Sequence, residues 1–578
     1  MTSSEEAATK ALRAYLADDW TKWLTQYPEL ATSFGFPGLD DRWTNDSESG
    51  IDQRKRHLTE SLESLRGLDA ASLPSRERVN HRMYRELLEL ADTGLAFGLD
   101  PLPFQLGVPH NLLAPLNQME GVHLTASETL EIQPRGRLAD YEALLSRLNS
   151  LATAVDQNRD LLEAGRKQGV TPHRYALRGV VDQVRGLIPD EPVKSPLLRA
   201  FTDFPSRIGE SDRARLTMEA TRSYTDRVVP AFERLHEYLE TRYLPACRGA
   251  PGVSSLPNGT ALYAFLVGWE TTTGLTPQQV HEIGRGEVRR LRTAMEGLMK
   301  ATGFSGGFSE FLDFLRTDDR FFYSDAETLV DGYRVITKKI DPGLARLFGR
   351  LPRLPYGVVP VPAFRAASSP TAYYMPGAPA TGRPGMFFAN TSELHSRPRW
   401  EMEALSLHEA VPGHHLQVDI ALHRPDIPAV ARDLFNSGYG EGWALYAEGV
   451  ADELGLYSSD ADRMGMLSNR AWRAVRVIVD TGMHALGWDR QKAIDTMLAH
   501  TAMSEDQAQS QVDRYIAWPG QACAYMIGYL EIVRLRTEAQ QVLGARFDLR
   551  AFHDRVLEDG PMPLPALRTK IEAWMHSG

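Results

Sequence analysis

The sequence predicts a mainly α-helical, multi-helix protein with one small β-sheet, and three observations carry that prediction. Apolar residues recur at three- and four-residue intervals through most of the chain. There is no βαβ alternation and no internal repeat. The β-forming runs gather in one stretch, residues 354–390, broken by proline and glycine. With 578 residues, 43% hydrophobic and 24% charged, the chain is of ordinary globular composition, which excludes a disordered or fibrous protein.

Taken in order, helical periodicity covers Ala7 to Trp23, Arg76 to Leu95, Leu138 to Ala164, Ser211 to Leu244 and Thr276 to Ala301. Thr276-Pro277 reads as a cap with proline at the first helical position, and Ser211 as a cap before a charged periodic run. The Pro/Gly-rich stretch Pro245 to Gly259 is the best boundary, giving an N-terminal helical lobe (residues 1–250) and a C-terminal one (residues 251–578). The same stretch also reads as a long surface loop inside one domain. Tyr356 to Pro362, Tyr373-Tyr374-Met375 and Met386 to Asn390 read as short strands, and their prolines suggest edge strands. Helices resume near Arg399 and run to the end.

Lys plus Arg number 64 against 75 Asp plus Glu, a net charge of −11, which argues against nucleic acid or an acidic membrane as the main partner. Cys247 and Cys523 form no metal or redox pair and read as reduced thiols. Met1 to Lys10 is polar, and no apolar run approaches the ~20 residues that span a bilayer. The expectation is a cytoplasmic protein.

One segment stands apart. His408-Glu409-Ala410-Val411-Pro412-Gly413-His414-His415 packs three histidines and a carboxylate into eight residues. A zinc hydrolase needs two neutral imidazoles, a third ligand, an open position for water and a free carboxylate as general base. His-Glu-x-x-His on a helix supplies the first pair and the base, because residues four apart share a face. Here Pro412 stands at that fourth position, cannot ligate and breaks the helical hydrogen bond, so the helix must kink or bulge at Val411–Gly413. If two residues loop out, His414 becomes the second ligand; if three, His415. His414 is preferred because a glycine directly precedes it. Downstream, Glu441 opens a helix after the turn signals Gly438 and Gly440, and a helical hairpin would return it to the histidines as third ligand. Glu448 or Asp452 would then orient an imidazole from behind. The bland alternatives are a satisfied polar core for the histidines and a dipole-favouring carboxylate for Glu441. His281-Glu282, with no second histidine in reach, reads as surface or cap. No nucleophile elbow, phosphate loop or dinucleotide fingerprint is present, and Gly438-Tyr439-Gly440-Glu441-Gly442 reads as a turn.

The stretches HEAVPGHHLQ (His408 to Gln417), GEGWALYAEGVADELGLY (Gly440 to Tyr457) and YIAWPGQACAYMIG (Tyr515 to Gly528) resemble a bacterial family catalogued as a domain of unknown function. That family in turn resembles the all-helical gluzincin peptidases, the group of thimet oligopeptidase, angiotensin-converting enzyme and the thermostable Thermus carboxypeptidase. The resemblance implies a large two-lobed peptidase-like fold with a deep central cleft. It implies His408, His414 and Glu441 as ligands of one Zn2+ and Glu409 as general base, although those enzymes have an uninterrupted motif and this chain carries two extra residues. It also implies an oxyanion-binding tyrosine, for which Tyr525 is the candidate and Tyr515 the reserve. The short strands would hold substrate, with Tyr374 and Asn390 touching its backbone and Tyr515 a further contact.

The expected function is therefore a zinc-dependent metallopeptidase that hydrolyses short peptides by metal-activated water. The alternatives are a metal-dependent hydrolase of another amide, or a non-catalytic helical peptide-binding or scaffold protein with a structural or lost metal site. Cobalt or manganese would suit two imidazoles and a carboxylate almost as well as zinc.

Overall fold

The structure is a computed structural model that describes all residues except 1–2, 105–107, 367–368, 425, 434–435, 454 and 577–578. It is overwhelmingly helical, with one three-stranded sheet. The chain packs as two compact units. The first comprises residues 1–103, 109–249 and 378–383; the second comprises 104–108, 250–377 and 384–578.

The first unit is built on the long helix Leu138–Lys167, whose buried leucines pack against the helices from Glu210 onward. The periodic run read as one helix from Ser211 to Leu244 is a helix interrupted twice by π-turns, Tyr224–Val228 and Leu239–Tyr243, and Gly209 rather than Ser211 is its cap. The extra residue in each π-turn keeps Tyr224, Val228, Leu239 and Tyr243 on the buried face. Arg147 is buried at its centre, where it donates to the carbonyls of Arg42 (3.0 Å) and Leu39 (2.9 Å) and to Gln133 Oε1 (2.8 Å), so its charge is solvated by protein dipoles.

The second unit carries helices α1 (Gly259–Thr271), α2 (Pro277–Ala301) and α3 (Ala326–Ile340) before its sheet. Thr276 caps α2 as expected, with a reciprocal bond to Gln279. Strands β1 (Tyr356–Pro360), β2 (Ala372–Met375) and β3 (Gly385–Ala389) follow, with β3 central, parallel to β1 and antiparallel to β2. The prolines fall where the sequence suggested: Pro360 ends an edge strand. Phe387 and Ala389 point from β3 into a core with Tyr333 of α3 and with Met402 and Leu405 of α4 (Met402–Glu409). Then come α5 (His414–Leu422), α6 (Ser437–Glu453), α7 (Asp460–Leu486), α8 (Glu505–Ala517) and α9 (Gln521–Leu543).

Glu441 does not open its helix. Asn436 caps α6, its Oδ1 accepting from the Tyr439 amide at 3.0 Å, so Glu441 lies one turn inside. The glycines read as a turn are helical. They serve packing: a Cβ on Gly442 would meet the backbone of Gly528 at 2.5–2.6 Å, and one on Gly528 would overlap the Gly438 carbonyl. The crossing of α6 and α9 is thus a backbone-to-backbone contact that only glycine permits.

Candidate metal centre

The kink demanded by Pro412 is present. Helix α4 ends at Glu409, the Val411–Pro412 peptide is cis, and α5 begins at His414. A Cβ on Gly413 would overlap the His408 carbonyl, so the residue before His414 is glycine for steric reasons. The break is pinned from α6, where Trp443 Nε1 donates to the Pro412 carbonyl at 2.9 Å.

Within this frame His408, His414 and Glu441 converge. Glu441 Oε2 lies 3.4 Å from His408 Nε2 and 3.4 Å from His414 Nε2, and the three atoms lie within 4.8 Å of one another. The two imidazoles stand perpendicular, at 88°, with centroids 4.9 Å apart. Glu441 Oε2 is buried yet hydrogen-bonded to nothing. Ligand atoms about 2.1 Å from one tetrahedral ion lie about 3.4 Å apart, so the spacing and donor set fit a divalent cation such as zinc. Burial alone would push His408 down, but Glu441 and Glu448 override it and raise the imidazole to about 10. Burial would likewise raise Glu441, and the two imidazoles that face it hold it well below the usual carboxylate range.

His415 faces away. Its Nε2 donates to the Leu354 carbonyl at 2.9 Å and its Nδ1 accepts from Tyr374 Oη at 2.9 Å, while Tyr356 packs on the ring at 4.6 Å. Burial lowers its basicity, which suits this neutral, doubly bonded ring. His415 therefore bolts α5 to the sheet. Behind His408, Glu448 Oε1 accepts from Nδ1 at 2.9 Å, and Glu448 is itself fully buried. Asp452, the other candidate for that place, pairs with Arg463 instead. Glu409 is buried next to His408, and its carboxylate makes no hydrogen bond among the described residues.

The remaining predicted residues are placed as follows. Tyr525, on α9, is nearly parallel to His408 at 6.3 Å. Tyr515 is buried one helix earlier, its hydroxyl accepting from Trp472 Nε1 at 2.9 Å. Tyr374 spends its hydroxyl on His415. Asn390 is buried and donates to the carbonyls of Ala366 (2.7 Å), Ser369 (3.0 Å) and Pro370 (3.2 Å), fixing the loop before β2. His281, read as surface or cap, is buried against Thr481 Oγ1 at 2.7 Å.

Sequence reasoning missed the arginines around Tyr525. Arg476 stands 4.0 Å from its ring and Arg473 6.0 Å, and Arg514 reaches its hydroxyl. A signal was present: Arg470, Arg473 and Arg476 recur every third residue along α7.

The family described as "Bacterial protein of unknown function (DUF885)" matches residues 28–571. No curated protein matches the chain in sequence. Among solved structures, a "putative lipoprotein" from Colwellia psychrerythraea is 25% identical, covers 99% of this chain and 100% of its own, and superposes with a TM-score of 0.91. A "putative lipoprotein of unknown function" from Shewanella oneidensis is 17% identical, covers 96% and 98%, and has a TM-score of 0.69, a likeness of fold. No helix among the described residues is long and apolar enough to cross a membrane. The expected cytoplasmic location gains no support from these neighbours.

Proposed function

Because the chain belongs to the DUF885 family of bacterial proteins, whose function is unknown, we propose from its site that it is a zinc-dependent metallopeptidase of gluzincin type acting on short peptides. The observation that carries the reading is the convergence of His408, His414 and Glu441 with Glu409 adjacent on the same helix and Glu448 behind His408. Bound there, zinc would supply a polarised water and a Lewis acid for a carbonyl oxygen.

The chain's own groups do the rest. Glu448 fixes the His408 tautomer so that Nε2 presents its lone pair. Glu409 takes a proton from the attacking water and delivers it to the leaving amine. Tyr525, which accepts from Arg514 and Gln521, keeps its own hydroxyl hydrogen to donate to the oxyanion. The Colwellia psychrerythraea neighbour is described as a "putative lipoprotein", and carried to this chain that description favours an exported or lipid-anchored enzyme over a cytoplasmic one.

The test is metal content by mass spectrometry for the natural chain, His408→Ala and Glu409→Gln, each paired with a peptide-library digest. About one zinc per chain is expected in the natural protein and in Glu409→Gln, with none in His408→Ala. Glu409→Gln should lose 10²- to 10⁴-fold in turnover. A natural chain that takes up no zinc, or a Glu409→Gln protein of full activity, would overturn the reading.

A further inference from the structure

We propose that Arg473 is a positioning residue for the metal centre, holding the Glu448 carboxylate in the pose from which Glu448 orients His408. The proposal rests on the reading of His408, His414 and Glu441 as metal ligands, and it adds a residue from a fourth helix, α7.

The argument starts from what Arg473 does not do. It is only 3% exposed, yet its Nε and Nη1 have no hydrogen-bond partner. Arg147 and Arg316 spend their donors on backbone carbonyls and so tie segments of chain together. Arg473 donates to no carbonyl among the described residues. Its guanidinium rests on the Trp472 ring at 4.3 Å, and its Nη2 stands 4.0 Å from Glu448 Oε1. That is the oxygen that accepts from His408 Nδ1 at 2.9 Å. At 4.0 Å the contact is a charge pair rather than a hydrogen bond, and burial away from water strengthens it.

Glu448 needs such a partner. It is fully buried, its Oε2 is hydrogen-bonded to nothing, and Oε1 has His408 alone. Tyr457 Oη donates to the Glu448 carbonyl at 2.9 Å, which fixes the backbone and leaves the carboxylate end free to turn. A cation on the Oε1 side decides which oxygen stays on His408. Arg473 also faces Glu401, but burial pushes that carboxyl up to about 7 against the pull of Arg473 and Arg397, so Glu401 has a second cation of its own. Among the described residues no other lysine or arginine lies within 4.0 Å of the Glu448 carboxylate. The neighbours along α7 are engaged elsewhere, Arg470 over the Tyr529 ring at 5.1 Å and Arg476 over Tyr525 at 4.0 Å.

Without the guanidinium, Glu448 keeps a bond to His408 but loses the charge that holds Oε1 in place. The imidazole is then no longer fixed with Nε2 towards Glu441. Arg473 therefore acts on the metal through Glu448 and should matter only while Glu448 is a carboxylate.

The experiment is a zinc competition titration against a chromophoric chelator on the full-length chain. Four proteins are compared: the natural one, Arg473→Met, Glu448→Gln and the double variant. Arg473→Met should weaken zinc binding about 10-fold alone, and by less than about twofold where Glu448 is already glutamine. The double variant also guards against a folding failure, because removing both members of a buried pair costs less than removing one. Cobalt-loaded protein gives a second readout, and its visible bands should move in the same direction in Arg473→Met and Glu448→Gln. Arg473→Lys, which keeps the charge without the planar fork, should lose less affinity than Arg473→Met.

An equal loss from Arg473→Met in both backgrounds would make Arg473 a packing residue and overturn the proposal. So would an Arg473→Met protein of natural zinc affinity, an unmoved cobalt spectrum, or a lysine variant no better than methionine. If the coupling holds while no peptide is hydrolysed, Arg473 keeps its role and the peptidase reading falls. Peptide hydrolysis by a protein whose two substitutions are simply additive gives the converse result.

Discussion

Glu448 decides which nitrogen of His408 is offered to a cation, because it accepts from Nδ1 and leaves Nε2 facing Glu441. Partners of this kind raise ligand basicity and hold the ring, and their loss typically weakens metal binding 10- to 100-fold. Glu448→Gln should therefore lower zinc affinity by about that factor in a competition titration against a chromophoric chelator. His415→Ala should leave affinity within about threefold and instead destabilise the protein, because His415 ties α5 to the sheet through Tyr374 and Leu354. A larger affinity loss for His415→Ala than for Glu448→Gln would reassign the second ligand. A separate residue-scale effect concerns Glu270 on α1, which is fully buried with both carboxylate oxygens unpartnered, so that burial raises it to about 8. Between about pH 4.5, its unfolded value, and pH 8, the folded chain holds a proton that the unfolded chain releases. Stability from this group is therefore present at low pH and lost as pH rises through the folded value. Glu401 and Asp480, both raised to about 7 by burial, bend the curve the same way. Glu270→Gln removes one such ionisation. Its melting temperature relative to the natural protein should rise between pH 5 and pH 8.5, by the equivalent of about 1–3 kcal/mol. A flat difference across that range would mean that Glu270 stays ionised in the fold.

Between elements, the critical contact is the crossing of α6 over α9, since α6 carries Glu441 and Glu448 while α9 carries Tyr525. Gly442→Ala pushes a methyl into the Gly528 backbone, which cannot swing aside as a side chain would. A loss of about 3 kcal/mol or more is expected in denaturant titration, together with weakened zinc retention as Glu441 is displaced. Gly286→Ala on α2 is the control: nothing lies within 4 Å of its Cβ, and it should stabilise by about 0.5–1 kcal/mol through the helix propensity gained. This contrast also marks what was legible in the sequence. The break between His408 and His414 followed from covalent chemistry alone, because proline has no amide hydrogen and its place in the motif forbade a continuous helix. The sheet followed from its proline-punctuated β-formers. The start of α6 did not, because glycine spacing looks the same in a turn and in a close helix crossing, and only the partner helix, 86 residues later at Gly528, tells them apart. The two π-turns of the Glu210 helix were hidden for a related reason, since one inserted residue shifts the apolar period without breaking it. The side to which His415 turns was likewise open, depending on a tyrosine and a carbonyl from a strand region 41 and 61 residues away.

At the scale of the whole chain, every group assigned to the site belongs to the second compact unit: α4, α5 and α6 supply the triad, Glu409 and Glu448, and α7, α8 and α9 supply the arginines and tyrosines. The first unit closes its own core around Leu138–Lys167 and solvates its own buried charge at Arg147. Metal binding should therefore act on stability locally. A ligand that binds only the folded state adds about 2.7 kcal/mol at a hundredfold excess over its dissociation constant. That energy reaches first the amides whose exchange requires the triad to come apart. Hydrogen exchange of zinc-loaded protein against chelator-treated protein should show added protection in residues 402–422 and 437–453. Amides of Leu138–Lys167 should exchange alike in both. The reason lies in the kinked segment: His408 and His414 sit on two short helices joined by Ala410–Gly413, and without a cation they are held together by one shared carboxylate. A cation replaces that arrangement by bonds from three elements to one point. Protection spread evenly over both units would mean that the metal stabilises the chain at some place other than the triad, and protection absent from residues 402–422 would remove His408 and His414 from the metal altogether.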